Sequence, residues 1–195
     1  MSKSSAIKSI LAAFPLCVSS LAGFATEPLP AGGGAIRNEP LGTIAALDVP
    51  RYMGTWFEIA KFPNRFQSKC IAATTAEYSI KGDGMLQVTN RCRVEGGAMI
   101  EAVGAARQIG PATSPKLEVR FAPLWLSFLP LVWGDYWVID LDERYQLVAV
   151  SEPKREYLWI LARTAQVDPK AYQALLDRLL QKGFDLGKLQ VTRQD

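Results

Sequence analysis

Eight short segments with strand-like patterning follow one another along most of the chain, and they constrain its fold more than any other feature. They cover residues 54–62, 71–80, 85–94, 100–109, 116–121, 135–141, 145–151 and 157–163. Turn-forming residues separate several of them, as in 81–84 and 110–111. This spacing predicts an all-β protein, an eight-stranded antiparallel up-and-down barrel, because eight strands form the smallest barrel that can hold one small ligand.

The periodicity changes after the eighth segment. Asp168 and Pro169 form a typical helix start, and Gly183 stands where a helix would end. Between them, apolar residues recur at helical spacing: Tyr172, Leu175, Leu176, Leu179 and Leu180. A single apolar stripe predicts one C-terminal α-helix packed on the outside of the barrel, followed by a short final strand over residues 188–192.

The N-terminal residues resemble an export signal. Lys3 and Lys8 precede an apolar run, and Gly23 and Ala25 offer small side chains at a cleavage position, so we expect residues 1–25 to be a signal peptide. An uncleaved membrane anchor and lipidation at Cys17 are the alternatives. Residues 26–46 are rich in proline and glycine and predict a flexible lead, which leaves residues 47–195 as the folded domain.

Composition argues against most enzyme classes. The chain contains no histidine, which removes Ser-His-Asp and Cys-His catalysis and imidazole-dependent metal or haem sites. It has no Cys-x-x-Cys pair and no glycine-rich phosphate loop, and its net charge of +3 is too small and dispersed for a nucleic-acid partner. We therefore expect no enzyme activity, metal site or cofactor.

Side-chain alternation in the second and third segments predicts a cavity. The even-numbered residues form the more apolar faces: Ala72, Thr74, Ala76, Tyr78, Ile80, Leu86, Val88, Asn90, Cys92 and Val94. If these faces point inward, Tyr78, Val88 and Asn90 line an apolar space with a few polar groups, which is the composition of a ligand site. We also expect Phe121 and Ile139 in this lining. A solid core in which Asn90 bonds to backbone is the alternative.

The first segment carries Gly54 and Trp56, and the eighth ends at Arg163. A glycine permits close approach of another group, and a guanidinium stacked on an indole is favourable when it is shielded from water. Trp56 and Arg163 are therefore candidates for a stacked pair. The alternative is an ordinary core tryptophan and a solvated arginine.

Residues 123–133 form the most unusual loop, since they are nearly all apolar and show neither helix nor strand periodicity. The exposed contact residues that we expect are Leu124, Trp125, Leu126, Phe128 and Leu129. Strand counting places this loop at the same end of the barrel as four basic residues: Arg65, Lys69, Lys154 and Arg155. The loop therefore predicts peripheral contact with a membrane, a partner or a second copy in a homodimer, or else it plugs the barrel.

Two cysteines remain after the predicted signal peptide, Cys70 and Cys92. An even pair in an exported chain predicts a disulfide bond. An unbroken hairpin would place Cys92 opposite Thr74, so the chain before residue 71 must bend back to bring the two α-carbons within bonding range.

Together, residues 47–66, 78–92, 116–121, 134–150 and 157–163 resemble the lipocalin family. The signatures are Gly54 with Trp56, an Asp-Tyr element at 135–136, and Arg163. The resemblance implies an open-mouthed barrel without catalysis, whose floor is closed by Trp56 and Arg163, and a ligand cavity that includes Trp137. It also implies a bacterial carrier of a fatty acid or lysophospholipid in the periplasm, associated in some relatives with the outer membrane.

Two other functions stay open at this stage. A lipid-modifying enzyme on the same barrel would need an acid–base pair, for which Glu58 and Tyr78 are the candidates. An envelope interaction protein would instead bind its partner through residues 123–133.

Overall fold

A computed structural model of the protein describes residues 39–195 except Asp83, Leu124 and Trp125. The predicted signal peptide and the first part of the predicted lead lie outside the described residues. In the described part of the chain, no helix is both long and apolar enough to cross a membrane.

Nine strands and two α-helices form the described domain. The strands are β1 (Gly54–Lys61), β2 (Ala72–Ile80), β3 (Leu86–Arg93), β4 (Met99–Gln108), β5 (Lys116–Arg120), β6 (Gly134–Leu141), β7 (Leu147–Ser151), β8 (Leu158–Ala162) and β9 (Gln190–Val191). The helices are α1 (Val49–Tyr52) and α2 (Pro169–Gln181), and single 3₁₀ turns cover Arg65–Gln67, Pro130–Val132 and Leu186–Lys188.

The sheet closes on itself. Strands β2 to β8 pair in sequence order, β8 pairs with β1, and β1 pairs with β2, all antiparallel. The short strand β9 lies outside this ring against β1. The predicted eight-stranded up-and-down barrel, with one main C-terminal helix and a short final strand, is therefore confirmed.

The C-terminal tail completes the wall where β1 and β2 separate. Strand β1 pairs with β2 only over Gly54–Phe57, whereas its later residues Ala60 and Lys61 pair with β9. Beyond β9, the Ala73 N–H donates to the Arg193 carbonyl at 2.7 Å. The Gln194 side-chain amide donates to two backbone carbonyls, one on each separated strand, at 2.6 and 3.0 Å. The tail thus satisfies backbone groups that an open seam would leave unpaired.

Two apolar clusters hold the domain together. One fills the closed end of the barrel around Trp56, Val138 and Val148. The other lies between the barrel wall and α2, where Leu175 and Leu179 are fully buried. Helix α2 starts as predicted, because an Asp168 carboxylate oxygen accepts a hydrogen bond from the Ala171 N–H at 2.9 Å.

Part of the predicted flexible lead is packed against the barrel. Leu41 is 5% exposed and belongs to the cluster beneath α2. The Ile44 N–H donates to the Val138 carbonyl at 3.1 Å. Leu41 and Ile44, within the predicted lead, therefore contact the folded domain directly.

Candidate functional site

The barrel encloses a cavity of about 590 Å³ that opens at one end. Four of the predicted lining residues, Tyr78, Val88, Asn90 and Phe121, border it. The loops after β1, β5 and β7 border its mouth, as the strand count predicted. The interior therefore has room for a small ligand.

The opposite end is closed by a stacked pair. Trp56 is fully buried, and the guanidinium carbon of Arg163 lies 3.9 Å from its ring centroid. Arg163 also donates hydrogen bonds to the backbone carbonyls of Arg51, Thr55 and Tyr145, at 2.8, 3.0 and 3.3 Å. This arrangement ties α1, β1 and the β6–β7 turn to the end of β8.

Gly54 lies at the same closed end of the barrel, which we call the floor. Its φ is +91°, a backbone conformation that side chains disfavour, and a Cβ there would lie 3.4 Å from an Arg163 guanidinium nitrogen. Glycine therefore lets the chain turn from α1 into β1 directly beneath the guanidinium.

Three tyrosines meet at the base of the cavity, just above this floor. The Tyr136 hydroxyl lies 2.8 Å from the hydroxyls of both Tyr52 and Tyr78. Burial raises the pKa of Tyr78 to about 12, and it raises the pKa values of Tyr52 and Tyr136 well above their ordinary value. The base is therefore a neutral cluster of hydroxyl groups, which we call the tyrosine triad. Parity identified only Tyr78, because Tyr52 and Tyr136 belong to distant elements.

A second polar group faces the cavity higher on the wall. Thr74 is 5% exposed and borders the cavity, and its hydroxyl has no hydrogen-bond partner among the described residues. Asn90, which pairs with Ala76 in the hairpin, borders the same space.

A buried carboxylate, Glu58, lies near the mouth with both of its oxygens engaged. One accepts from the Thr192 hydroxyl at 2.6 Å and pairs with the Lys61 ammonium at 3.0 Å. The other accepts from the Gln67 amide at 2.5 Å, and the Gln67 carbonyl oxygen accepts from the Trp159 indole at 2.9 Å. Glu58 therefore acts as a structural link between β1, the following loop and the C-terminal tail.

The charges at the mouth are of mixed sign, which corrects the prediction of a basic rim. The cations that border the cavity are Arg65 and Lys154, and three carboxylates besides Glu58 border it as well: Asp135, Glu152 and Glu156. Lys69 is exposed outside the lining. Arg155 turns away, because its guanidinium donates to the backbone carbonyls of Lys182 and Glu39 at 2.8 and 3.0 Å.

Trp137 and Ile139 do not border the cavity, contrary to expectation. Strand β6 points Tyr136 and Val138 inward, so Trp137 faces outward and lies 4.1 Å beneath the Lys116 ammonium. Ile139 has the same parity as Trp137 and faces outward with it, into the cluster beneath α2.

The apolar loop borders the mouth. Leu124 and Trp125, two of the predicted contact residues, lie outside the described residues. Phe128 and Leu129 are exposed, at 73% and 38%, and the neighbouring Leu131 is 96% exposed. Leu126 is partly buried. Phe66, on the loop after β1, adds a further exposed ring at 63%.

The predicted disulfide bond between Cys70 and Cys92 is confirmed, with α-carbons 5.5 Å apart. A bulge supplies the bend that it requires. Ala73 has a φ of 51°, and beyond it Ala72 pairs with Arg93, whereas the register of Tyr78 with Val88 would place Ala72 opposite Val94. The bond fixes the loop after β1, which carries Gln67, to the rim of β3.

Residues 47–194 match a family model described as a lipocalin-like domain. The chain is 42% identical to temperature-induced lipocalin-1 of Arabidopsis thaliana over 77% of this chain and 81% of the relative. It is 34% identical to outer membrane lipoprotein Blc of Escherichia coli K12, over 89% and 93%. Insecticyanin from the tobacco hornworm Manduca sexta shares the fold, with a TM-score of 0.60 at 18% identity over 78% of this chain and 83% of its own. The chain therefore belongs to the lipocalin family, whose members generally bind small hydrophobic ligands without catalysing a reaction.

Proposed function

We propose that the protein carries a single-chain amphiphile, a lysophospholipid or a fatty acid, with its acyl chain in the barrel and its head group at the mouth. The observation that carries the proposal is a cavity of about 590 Å³, apolar along Val88, Val119 and Leu161, beneath a ring of charged side chains. Burial of an acyl chain supplies affinity, and the open end leaves a polar head group in water.

The mixed charges at the mouth favour a zwitterionic head group over a purely anionic one. Arg65 and Lys154 suit a phosphate, whereas Asp135 and Glu156 suit an ammonium group. A fatty-acid carboxylate would meet the two cations but also the surrounding carboxylates. A lysophospholipid with an amine-bearing head group fits this rim best.

We further propose that this carrier acts in the bacterial cell envelope. The proposal is supported by the export-signal pattern of residues 1–25 and by similarity to a relative named as an outer membrane lipoprotein. The protein would then work in the periplasm, in association with the outer membrane.

Native mass spectrometry and calorimetry test the carrier. We expect the purified chain to bind lysophosphatidylethanolamine, and the double variant Arg65→Gln/Lys154→Gln to bind it several-fold more weakly. Lys69→Gln is the matched control, because Lys69 is a nearby exposed cation outside the lining. A chain that neither retains nor takes up a lysophospholipid or fatty acid contradicts the proposal.

The exposed apolar side chains at the mouth favour a second property, peripheral contact with a bilayer surface. Phe66, Phe128 and Leu131 are all more than half exposed at the end of the barrel through which a lipid would enter. We expect Phe128→Ser/Leu131→Ser to slow lipid transfer from vesicles while leaving affinity for a dispersed lipid unchanged. Leu180→Ser, an exposed position on α2, is the control. Unchanged transfer rates in the double variant would contradict this role.

A further inference from the structure

The tyrosine triad contains more hydrogen-bond donors than the chain uses. Tyr52, Tyr136 and Tyr78 each carry one O–H group, and two hydrogen bonds join them in a line. Three protons and two bonds leave one O–H uncommitted, whichever way the bonds run. Among the described residues, no further acceptor is bonded to these hydroxyls.

The uncommitted proton has three possible positions, one on each hydroxyl. Two of them place it on Tyr78 or Tyr136, which both border the cavity. Rotation of hydroxyl groups interconverts the arrangements, so a hydrogen-bond acceptor in the cavity can select one that points toward it. The hydroxyl oxygens also keep lone pairs that can accept a bond in return.

A buried O–H without a partner is unfavourable, and such groups in folded proteins usually find one. The described side chains around the triad offer such an O–H no polar partner, because they are apolar or aromatic. The rings of Tyr52 and Trp56 have centroids 5.0 Å apart, and Val88 and Leu161 line the space near Tyr78.

We infer that the tyrosine triad is a binding subsite for an uncharged oxygen at the inner end of the ligand, such as a hydroxyl, ketone or ester oxygen on an acyl chain. This inference rests on the proposed function and narrows its ligand to lipids oxygenated far from the head group. A hydroxyl fits best, because it both donates and accepts. A carboxylate does not fit, because the same burial that keeps the three phenols neutral disfavours any negative charge there.

Matched lipid pairs test the subsite. The probes are dodecanoic, tetradecanoic and hexadecanoic acids and their terminally hydroxylated counterparts, measured by displacement of a fluorescent fatty acid. A hydroxyl group lowers the hydrophobic contribution to binding in any protein, so the informative quantity is the affinity ratio within each pair, compared between variants.

The variant is Tyr52→Phe/Tyr78→Phe/Tyr136→Phe, which removes all three hydroxyls together and retains the rings. Removing hydrogen-bonded partners jointly leaves no orphaned group, and circular dichroism verifies that the variant folds. Tyr157→Phe makes the same chemical change at the mouth of the cavity and serves as the control.

We expect the preference for the hydroxylated lipid to be about tenfold greater in the wild type than in the triple variant, at the chain length that reaches the base. Tyr157→Phe should keep the wild-type ratio. Equal ratios in the wild type and the triple variant at every chain length would overturn the subsite and leave the carrier intact. Failure of all the acids, and of the lysophospholipids, to bind would overturn both.

Discussion

Replacing Tyr136 alone with phenylalanine should destabilise the protein more than replacing all three tyrosines of the triad. The Tyr136 hydroxyl is the middle of the line, at 2.8 Å from each neighbour. Its loss removes two hydrogen bonds and leaves two hydroxyls without partners, one of them on Tyr52, which is 1% exposed. An orphaned buried polar group costs about 1–3 kcal/mol, so we expect the free energy of unfolding to fall by about 2–5 kcal/mol.

The triple variant removes donors and acceptors together. The ring contacts stay, with centroid separations of 5.4 Å between Tyr52 and Tyr78 and 6.1 Å between Tyr78 and Tyr136. We therefore expect its free energy of unfolding to stay within about 1 kcal/mol of the wild type. Tyr78→Phe, which keeps the bond between Tyr52 and Tyr136, should lose about 1 kcal/mol.

Urea unfolding followed by circular dichroism measures these differences, with the m-value as a check that each variant unfolds in the same manner. The order of stability is the decisive result. If the triple variant is as unstable as Tyr136→Phe, the hydroxyls stabilise the barrel in some way other than by satisfying one another, and the hydrogen-bond count is wrong.

Three further predictions follow from the same geometry. The free energy of unfolding should fall as the pH rises from 10.0 toward about 12, because Tyr78 loses its proton near a pKa of 10.0 in the unfolded chain but only near a pKa of about 12 in the folded protein. Urea midpoints should show this slope in the wild type and a smaller slope in the triple variant, in which Tyr172 still has a raised pKa. Deleting residues 190–195 should leave backbone groups between β1 and β2 unpaired beside Glu58 and lower the Tm by several degrees. We also expect faster lipid release in stopped-flow measurements, and an unchanged release rate would show that the tail does not close this gap. Arg163→Ala should lose about 2–4 kcal/mol in urea unfolding, because it removes the stack on Trp56 and three bonds to backbone carbonyls, and a loss below about 1 kcal/mol would show that the floor closes without it.

Local patterns predicted the architecture well. Short alternating segments separated by turn residues correspond to β1–β8, and the pair Asp168 and Pro169 marks the start of α2. These features depend on neighbours in the chain, so they can be read from one sequence. The register of the β2–β3 hairpin was equally accessible, because Tyr78 pairs with Val88 as alternation requires.

Side-chain direction was predicted correctly in the β2–β3 hairpin but not in β6. Strand β6 points Tyr136 and Val138 inward, so Trp137 and Ile139 both lie on its outer face. The resemblance that placed Trp137 in the cavity did not take account of the facing of this strand. The role of the C-terminal tail was also hidden, since residues 190–195 close a seam between strands more than 100 residues earlier in the chain. Such contacts join distant segments and leave no local periodicity.

The cavity contains two kinds of buried polar group, and the difference between them bears on the ligand. Glu58 obtains all of its partners from the chain itself, from Lys61, Gln67 and Thr192. The Thr74 hydroxyl has no partner among the described residues, and the tyrosine triad keeps one O–H unused.

Both incompletely bonded sites border the space that the ligand would occupy, one on the wall and one at the base. Valine and phenylalanine would fill the same volumes without leaving a donor unpaired, so stability alone does not account for hydroxyl groups at these positions. A ligand that brings oxygen atoms to the wall and to the base would account for them. Thr74→Val should therefore weaken binding of lipids that are oxygenated along the acyl chain while leaving binding of the same lipids without that oxygen unchanged. An equal loss of affinity for both would show that Thr74 acts through packing and not through its hydroxyl group.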